Sequence, residues 1–314
     1  YPTNIISSVE HYKHMEHAEH IAEAVSYTKD TFLQIDGIIT WIKLFLAIII
    51  PLISGFGLAT LILQFLVKPA LVSILVGPNL GFTEAGIAYI LQYLAVVIGI
   101  IFVFLFPYYQ GYLCRSMKTR EITKAEDFSG LFFSGWKINT LIIYYLLPLI
   151  AIFLLYALLF TSLNGALDTI FTGETAWLET VMDYALLILY IIVEFATFIF
   201  IALFGCIGLV HLARTGSFKE AVKIKKISAL IKRIGWYDYI LCIVIVTLIL
   251  LTVAVFFVGL AGIFDFAVAA NIIFFGLMIV VMIPIGVFVT RYLANIYETA
   301  FLEPEDDIEE FDDF

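Results

Sequence analysis

Six long apolar stretches, at about 38 to 67, 85 to 113, 138 to 163, 184 to 213, 237 to 264 and 267 to 290, dominate this chain. Each reaches the roughly 20 residues a helix needs to cross ~30 Å of hydrocarbon, whereas barrel strands are alternating segments of only ~10 residues. The composition agrees with a bilayer as solvent: 62% of the 314 residues are hydrophobic and 14% are charged, against about 25% charged in soluble domains. The predicted fold is an all-α membrane protein with six transmembrane helices arranged as three hairpins. The shorter apolar piece from Pro69 to Val76 reads as interfacial or re-entrant. Three regions follow: a polar, His-rich arm with a first amphipathic helix at 1–36, the six-helix domain at 37–302, and an acidic tail at 303–314.

Charge sets the expected orientation. Sixteen of the 17 Lys and Arg residues fall on one side of the spans and only Lys68 on the other. The positive-inside rule therefore puts both termini and the two long loops in the cytoplasm of a cell membrane. A net charge of -10 and a pI near 4.9 leave no electrostatic footprint for nucleic acid. The first 37 residues lack the basic start and short apolar run of a secretory signal, and the chain begins with Tyr1, so the native start is read as upstream or trimmed. Cys114, Cys206 and Cys242 show no Cys-x-x-Cys spacing, and no disulfide framework or zinc ribbon is readable.

A unit recurs along the chain. Trp41, Trp136 and Trp236 open the odd-numbered spans, where an indole keeps its ring in the interface and its N–H wet. The even-numbered spans close on Gly111 before Arg115, Gly208 before Arg214 and Gly286 before Arg291. A stretch with helical apolar spacing precedes each Trp: Ile21, Val25, Thr28, Phe32 and Ile35; then Phe128, Leu131 and Phe132; then Ile224, Ile227, Leu230, Ile231 and Ile234. Too short and charged to span, these stretches are expected to lie on the cytoplasmic surface, apolar face down. Lys223, Lys225 and Lys226 and the three arginines would sit near anionic headgroups, making membrane lipids the first expected partner. Duplication and the interface rules acting alone both generate such repetition.

The loops carry a pattern. Gly111-Tyr112-Leu113 with Arg115, the run Leu131-Phe132-Phe133-Ser134-Gly135-Trp136-Lys137, Tyr145-Leu146-Leu147-Pro148, the stretch from Ala213 to Ala221, and Ile234-Gly235-Trp236-Tyr237-Asp238-Tyr239-Ile240 together resemble domain-of-unknown-function family 4013, an archaeal membrane family common in methanogens. The resemblance covers about residues 18 to 298 and is most specific from Arg214 to Ala221. Where the family has a Leu-Pro before an acidic cluster, this chain has Ile122-Thr123-Lys124-Ala125-Glu126-Asp127, and the His-rich arm and acidic tail look like additions. The resemblance implies an archaeal cell membrane and no established activity, so it carries over no catalytic residue.

Few residues promise chemistry. Glu194 is the one ionisable group well inside a span, where a carboxylate costs roughly 2.5–3.5 kcal/mol or more. It is expected to face the bundle, with Tyr190 and Thr197 on the same helix face as hydrogen-bond partners, serving either as glue between helices or as a proton or cation site. His11, His14, His17 and His20 recur every third residue, so only neighbouring pairs can share a metal; His14, His17 and His20 are weak candidates beside the reading of a solvated arm. The eight acids of the tail read as a solubilising or partner-binding segment without calcium-loop spacing. Pro51, Pro107, Pro148 and Pro284 are expected to kink their spans, and His211 reads as interfacial. No nucleotide loop, nucleophile elbow or paired-carboxylate site is present. The expected function is that of a non-enzymatic polytopic protein without a cofactor. It would organise or sense the inner membrane face, or scaffold a protein partner through its cytoplasmic loops or tail. The alternative is a small-solute, ion or lipid transporter using Glu194.

Overall fold

The computed structural model describes residues 17–75, 83–170, 176–263 and 268–301, and within them every regular element is helical. In chain order these are α1 (His17–Phe32), α2 (Ile35–Ile62), α3 (Lys68–Leu75), α4 (Glu84–Leu105), α5 (Tyr108–Lys118), α6 (Phe128–Ile170), α7 (Ala176–Thr215), α8 (Phe218–Ala221), α9 (Ile224–Ile234), α10 (Trp236–Ile263) and α11 (Val268–Thr299). Six helices are long and apolar enough to cross a membrane: Ile35–Ser73, Glu84–Leu105, Phe128–Phe160, Val181–Thr215, Trp236–Leu260 and Gly276–Thr299. They fit an integral membrane protein.

Two boundaries differ from expectation. The piece from Lys68 to Leu75 is not re-entrant but continues the first helix through a π-helical turn at Leu63–Val67. Pro69 has no N–H to donate and its ring crowds the preceding turn, which the wider π geometry accommodates. At the far end of this helix Lys68 pairs with Glu84, 3.0 Å away, which joins α3 to the start of α4.

The second change is at Pro107, which ends the second span instead of kinking it. α4 stops at Leu105, Phe106 leaves helical geometry, and α5 sets off separately. The Tyr108 amide turns back to the Phe106 carbonyl, which leaves the Phe104 carbonyl without its helical donor. Asn139 of α6, almost fully buried, supplies the replacement through its side-chain amide at 2.7 Å. Two glycines allow this approach: a methyl group at Gly135 would overlap the Pro107 carbonyl oxygen, and one at Gly111 would overlap that of Leu131.

The surface segments also differ from one another. Phe128, Leu131 and Phe132 are the first turns of α6, continuous with the span. A separate helix does form at α9, with Ile227, Leu230, Ile231 and Ile234 buried and Ile224 exposed. Gly235, at a φ of +99° that other residues resist, separates it from α10. In α1 the buried residues are His20, Ala24, Tyr27, Thr31 and Phe32, while Val25 and Ile35 are exposed. The buried series is one residue out of phase with the expected apolar one because α1 docks on protein, against α11, through small and hydroxyl-bearing side chains. The buried side of α9 likewise packs on α7, α10 and α11.

Apart from Lys68, which pairs with Glu84 at the opposite end, the described Lys and Arg residues gather at one end of the bundle, the basic end, and the core shared between helix pairs lies there too. One cluster joins α1, α7, α9, α10 and α11 around Ile207, Ile227, Tyr239 and Tyr292; another joins α1, α2, α5, α6 and α11 around Tyr112, Leu44 and Ile283. Farther from that end, Ala59, Leu63, Ile87, Leu91 and Ala95 form a core between the long first helix, from α2 through its π turn into α3, and α4. The most apolar stretch of Val181–Thr215 has no buried residue at all.

Candidate functional site

The densest polar chemistry surrounds the last two turns of α11. Arg291 through Tyr297 are all buried, so the helix meets protein on every side. The Arg291 side chain is 1% exposed, and a charge so placed needs partners. Its guanidinium donates to Glu23 of α1 at 3.1 Å and to the Thr119 carbonyl at 3.1 Å, and it lies 5.1 Å over the Tyr27 ring. Tyr27 reaches the loop between α5 and α6, bonding the Glu121 carbonyl and the Thr123 hydroxyl, both at 3.2 Å, while Tyr112 donates to the Thr123 carbonyl at 3.0 Å.

Neighbouring positions on α11 recruit the remaining elements. Tyr292 is hydrogen-bonded to His17 of α1 at 2.9 Å and lies in the same buried cluster as Cys242 of α10. Asn295 donates to the His20 carbonyl, and Tyr297 bonds His211 of α7 at 2.6 Å. Glu298 pairs with both Arg214 of α7 and Arg120 of the loop. Arg115 pairs with Asp127, whose carboxylate caps α6 by accepting from the Gly130 amide. The Gly130 amide and then Arg115 hold the Asp127 carboxyl below its ordinary range. Glu220 accepts from Lys226 at 2.7 Å and Lys223 at 2.9 Å, which bring its carboxyl down to about 2. Burial, opposed by Glu23, lowers the His20 imidazole below its usual value.

The expected site residues are therefore divided between two regions. Arg291, read as an interfacial arginine, is instead the buried centre of this layer; Arg115 and Arg214 serve ion pairs within the protein; and Lys223 and Lys226 turn toward Glu220, with Lys225 exposed beside them. His17 spends Nδ1 on Tyr292, and His20 is 2% exposed. His14 and the acidic tail lie outside the described residues. No cluster of three or more metal-ligating side chains occurs among those described. Trp41 is drawn into the protein, its indole N–H donating to the Val280 carbonyl at 3.1 Å, whereas Trp136 is partly buried against Phe132 and Trp236 is 40% exposed.

Glu194 stands apart, midway along α7. Thr197 does not bond it but donates to the Val193 carbonyl at 2.8 Å, and the Tyr190 ring stacks on Tyr156 of α6, 4.3 Å between centroids. The Oε2 atom of Glu194 is buried without a hydrogen-bond partner among the described residues. Sequence reasoning missed Glu298, Asn295, Tyr292 and Tyr297. Their signal was the run from Arg291 to Glu298, polar and apolar all round with no free face, which is a core helix pattern rather than the edge of a span.

The fold and this layer define a class, a polytopic helical protein knitted together at one end. The chain belongs to DUF4013, a family of proteins of unknown function, through a match over residues 93–264, from α4 to the end of α10. That interval is shorter than the expected resemblance from 18 to 298. No curated protein and no solved structure matches the chain.

Proposed function

We propose that this DUF4013 protein is a non-enzymatic membrane scaffold, with its basic end and both termini in the cytoplasm, that organises the inner membrane face or holds a partner there. The observation that carries the reading is the burial of Arg291 through Tyr297: the ion pairs and hydrogen bonds around them join α1, α7, α11 and the loop before α6 into one plate. Toward the other end the helix pairs share little core, an arrangement that suits anchoring. Three hairpins, two of them preceded by an amphipathic helix, α1 and α9, would each deliver one part of the plate. The resemblance in the loops supports placing it in an archaeal cell membrane. A photo-crosslinking residue at Lys232, on the exposed side of α9, tests the scaffold in cells. A discrete protein adduct is the expected result; adducts to lipid alone would overturn partner binding.

A second reading has its own support. The buried, unpartnered Oε2 of Glu194 suits a proton or cation site, and it would make the protein a transporter. Flux in proteoliposomes that is present in the native chain and lost in Glu194→Gln would establish this reading in place of the first.

A further inference from the structure

A cavity of about 750 Å³ lies between α2, the end of α4, the start of α5 and the start of α6. The break between α4 and α5 falls beside it, between the lining residues Phe106 and Tyr108. The cavity's length follows α2 from Lys43 to Ser54, a rise of about 16 Å and close to the ~15 Å half-thickness of a bilayer core. The walls are apolar, with Ala47, Ile50 and Pro51 on one side and Phe102, Phe106 and Phe128 on the other. Ile50, Phe106 and Phe128 remain exposed, so the cavity is a groove open along its side.

The mouth differs from the walls. Lys43 and Glu126 both line it, and among the described residues neither forms an ion pair with the other or with any third group. One cation and one anion at the headgroup end of a chain-length apolar groove complement a zwitterion better than a single charge. We propose that the groove seats one phospholipid whose headgroup carries a phosphate and a primary amine. The hydrocarbon chain lies along α2 past Ala47 and Ile50, the phosphate meets Lys43, and the amine meets Glu126. The proposal rests on the helices crossing a membrane and is independent of the scaffold reading.

Native mass spectrometry of the full chain in mild detergent, with added phosphatidylethanolamine or phosphatidylglycerol, tests it. The expected result is one retained phosphatidylethanolamine per chain, held about tenfold more tightly than phosphatidylglycerol. Ile50→Trp and Ala47→Trp should each reduce retention about tenfold by filling the groove, and the exposed Ile50 makes the first variant safe for folding. Lys43→Gln should weaken both lipids, and Glu126→Gln should erase the preference between them. Equal or tighter binding of phosphatidylglycerol by the native chain overturns the proposal, as does retention unchanged in Ile50→Trp. Failure of the chain to insert into vesicles would instead remove the membrane reading itself.

Discussion

Arg291 shows how much a single buried charge organises. Removing one partner of a buried ion pair leaves the other uncompensated, and because Glu23 keeps some contact with water the cost falls near the lower end of the usual range, about 3 kcal/mol for Arg291→Met. Thermal unfolding in detergent should show this loss, and Glu23→Gln combined with Arg291→Met should lose less than the two single changes added together. His20 supplies a pH dependence. Its folded pKa is lowered from 6.5, chiefly by burial, partly countered by Glu23 and Glu19 with His17 acting in the opposite direction and Glu298 favouring the charged form. The unfolded chain therefore takes up a proton first as pH falls through 6.5, so stability contributed by this site declines from there downward. The melting temperature should fall on acidification below that pH, and His20→Asn should flatten the slope. Neither role was legible in sequence, where Arg291 followed an apolar run and His20 belonged to a polar arm; only the packing of α1 on α11 makes them neighbours.

Element by element, periodicity identified the long helices well because burial in lipid or protein demands the same apolar character over ~20 residues. It did less well wherever a helix end depends on another chain segment. Pro107 read as a kink, since many membrane helices continue past proline with freed carbonyls satisfied nearby. Here Asn139 caps the Phe104 carbonyl from α6, and the freed end becomes a stable break. Asn139→Leu should thus strand a buried carbonyl and cost about 1–3 kcal/mol in thermal unfolding. Gly111→Ala forces α5 from Leu131 and should cost at least as much, about 1–3 kcal/mol for overpacking against backbone that has no rotamer to yield. The shared Gly-Trp pairs illustrate the same limit: Gly235 is a turn with positive φ, whereas Gly135 lies inside α6 and meets Pro107. Identical dipeptides thus met different demands.

Across the whole molecule, polar bonding is concentrated at the basic end and apolar surface toward the other. Residues separated by up to 275 positions, such as His17 and Tyr292, meet in the plate, and Cys242 is buried in the same core cluster as that tyrosine. Deleting residues 1–32 in a Cys114→Ala and Cys206→Ala background should therefore speed maleimide labelling of Cys242 by at least tenfold, an order of magnitude for loss of a cover worth about 1.4 kcal/mol. Unchanged labelling would show that α1 is not the cover. Hydropathy by itself determined that six helices of this chain are suited to a membrane, because it is a local sum along the chain. Which arginines are buried, which face of α1 packs inward and where the second span stops were decided by tertiary structure alone. Each depends on a donor, an acceptor or a carbonyl brought from a distant segment, and a linear pattern of apolar residues holds no record of that partner.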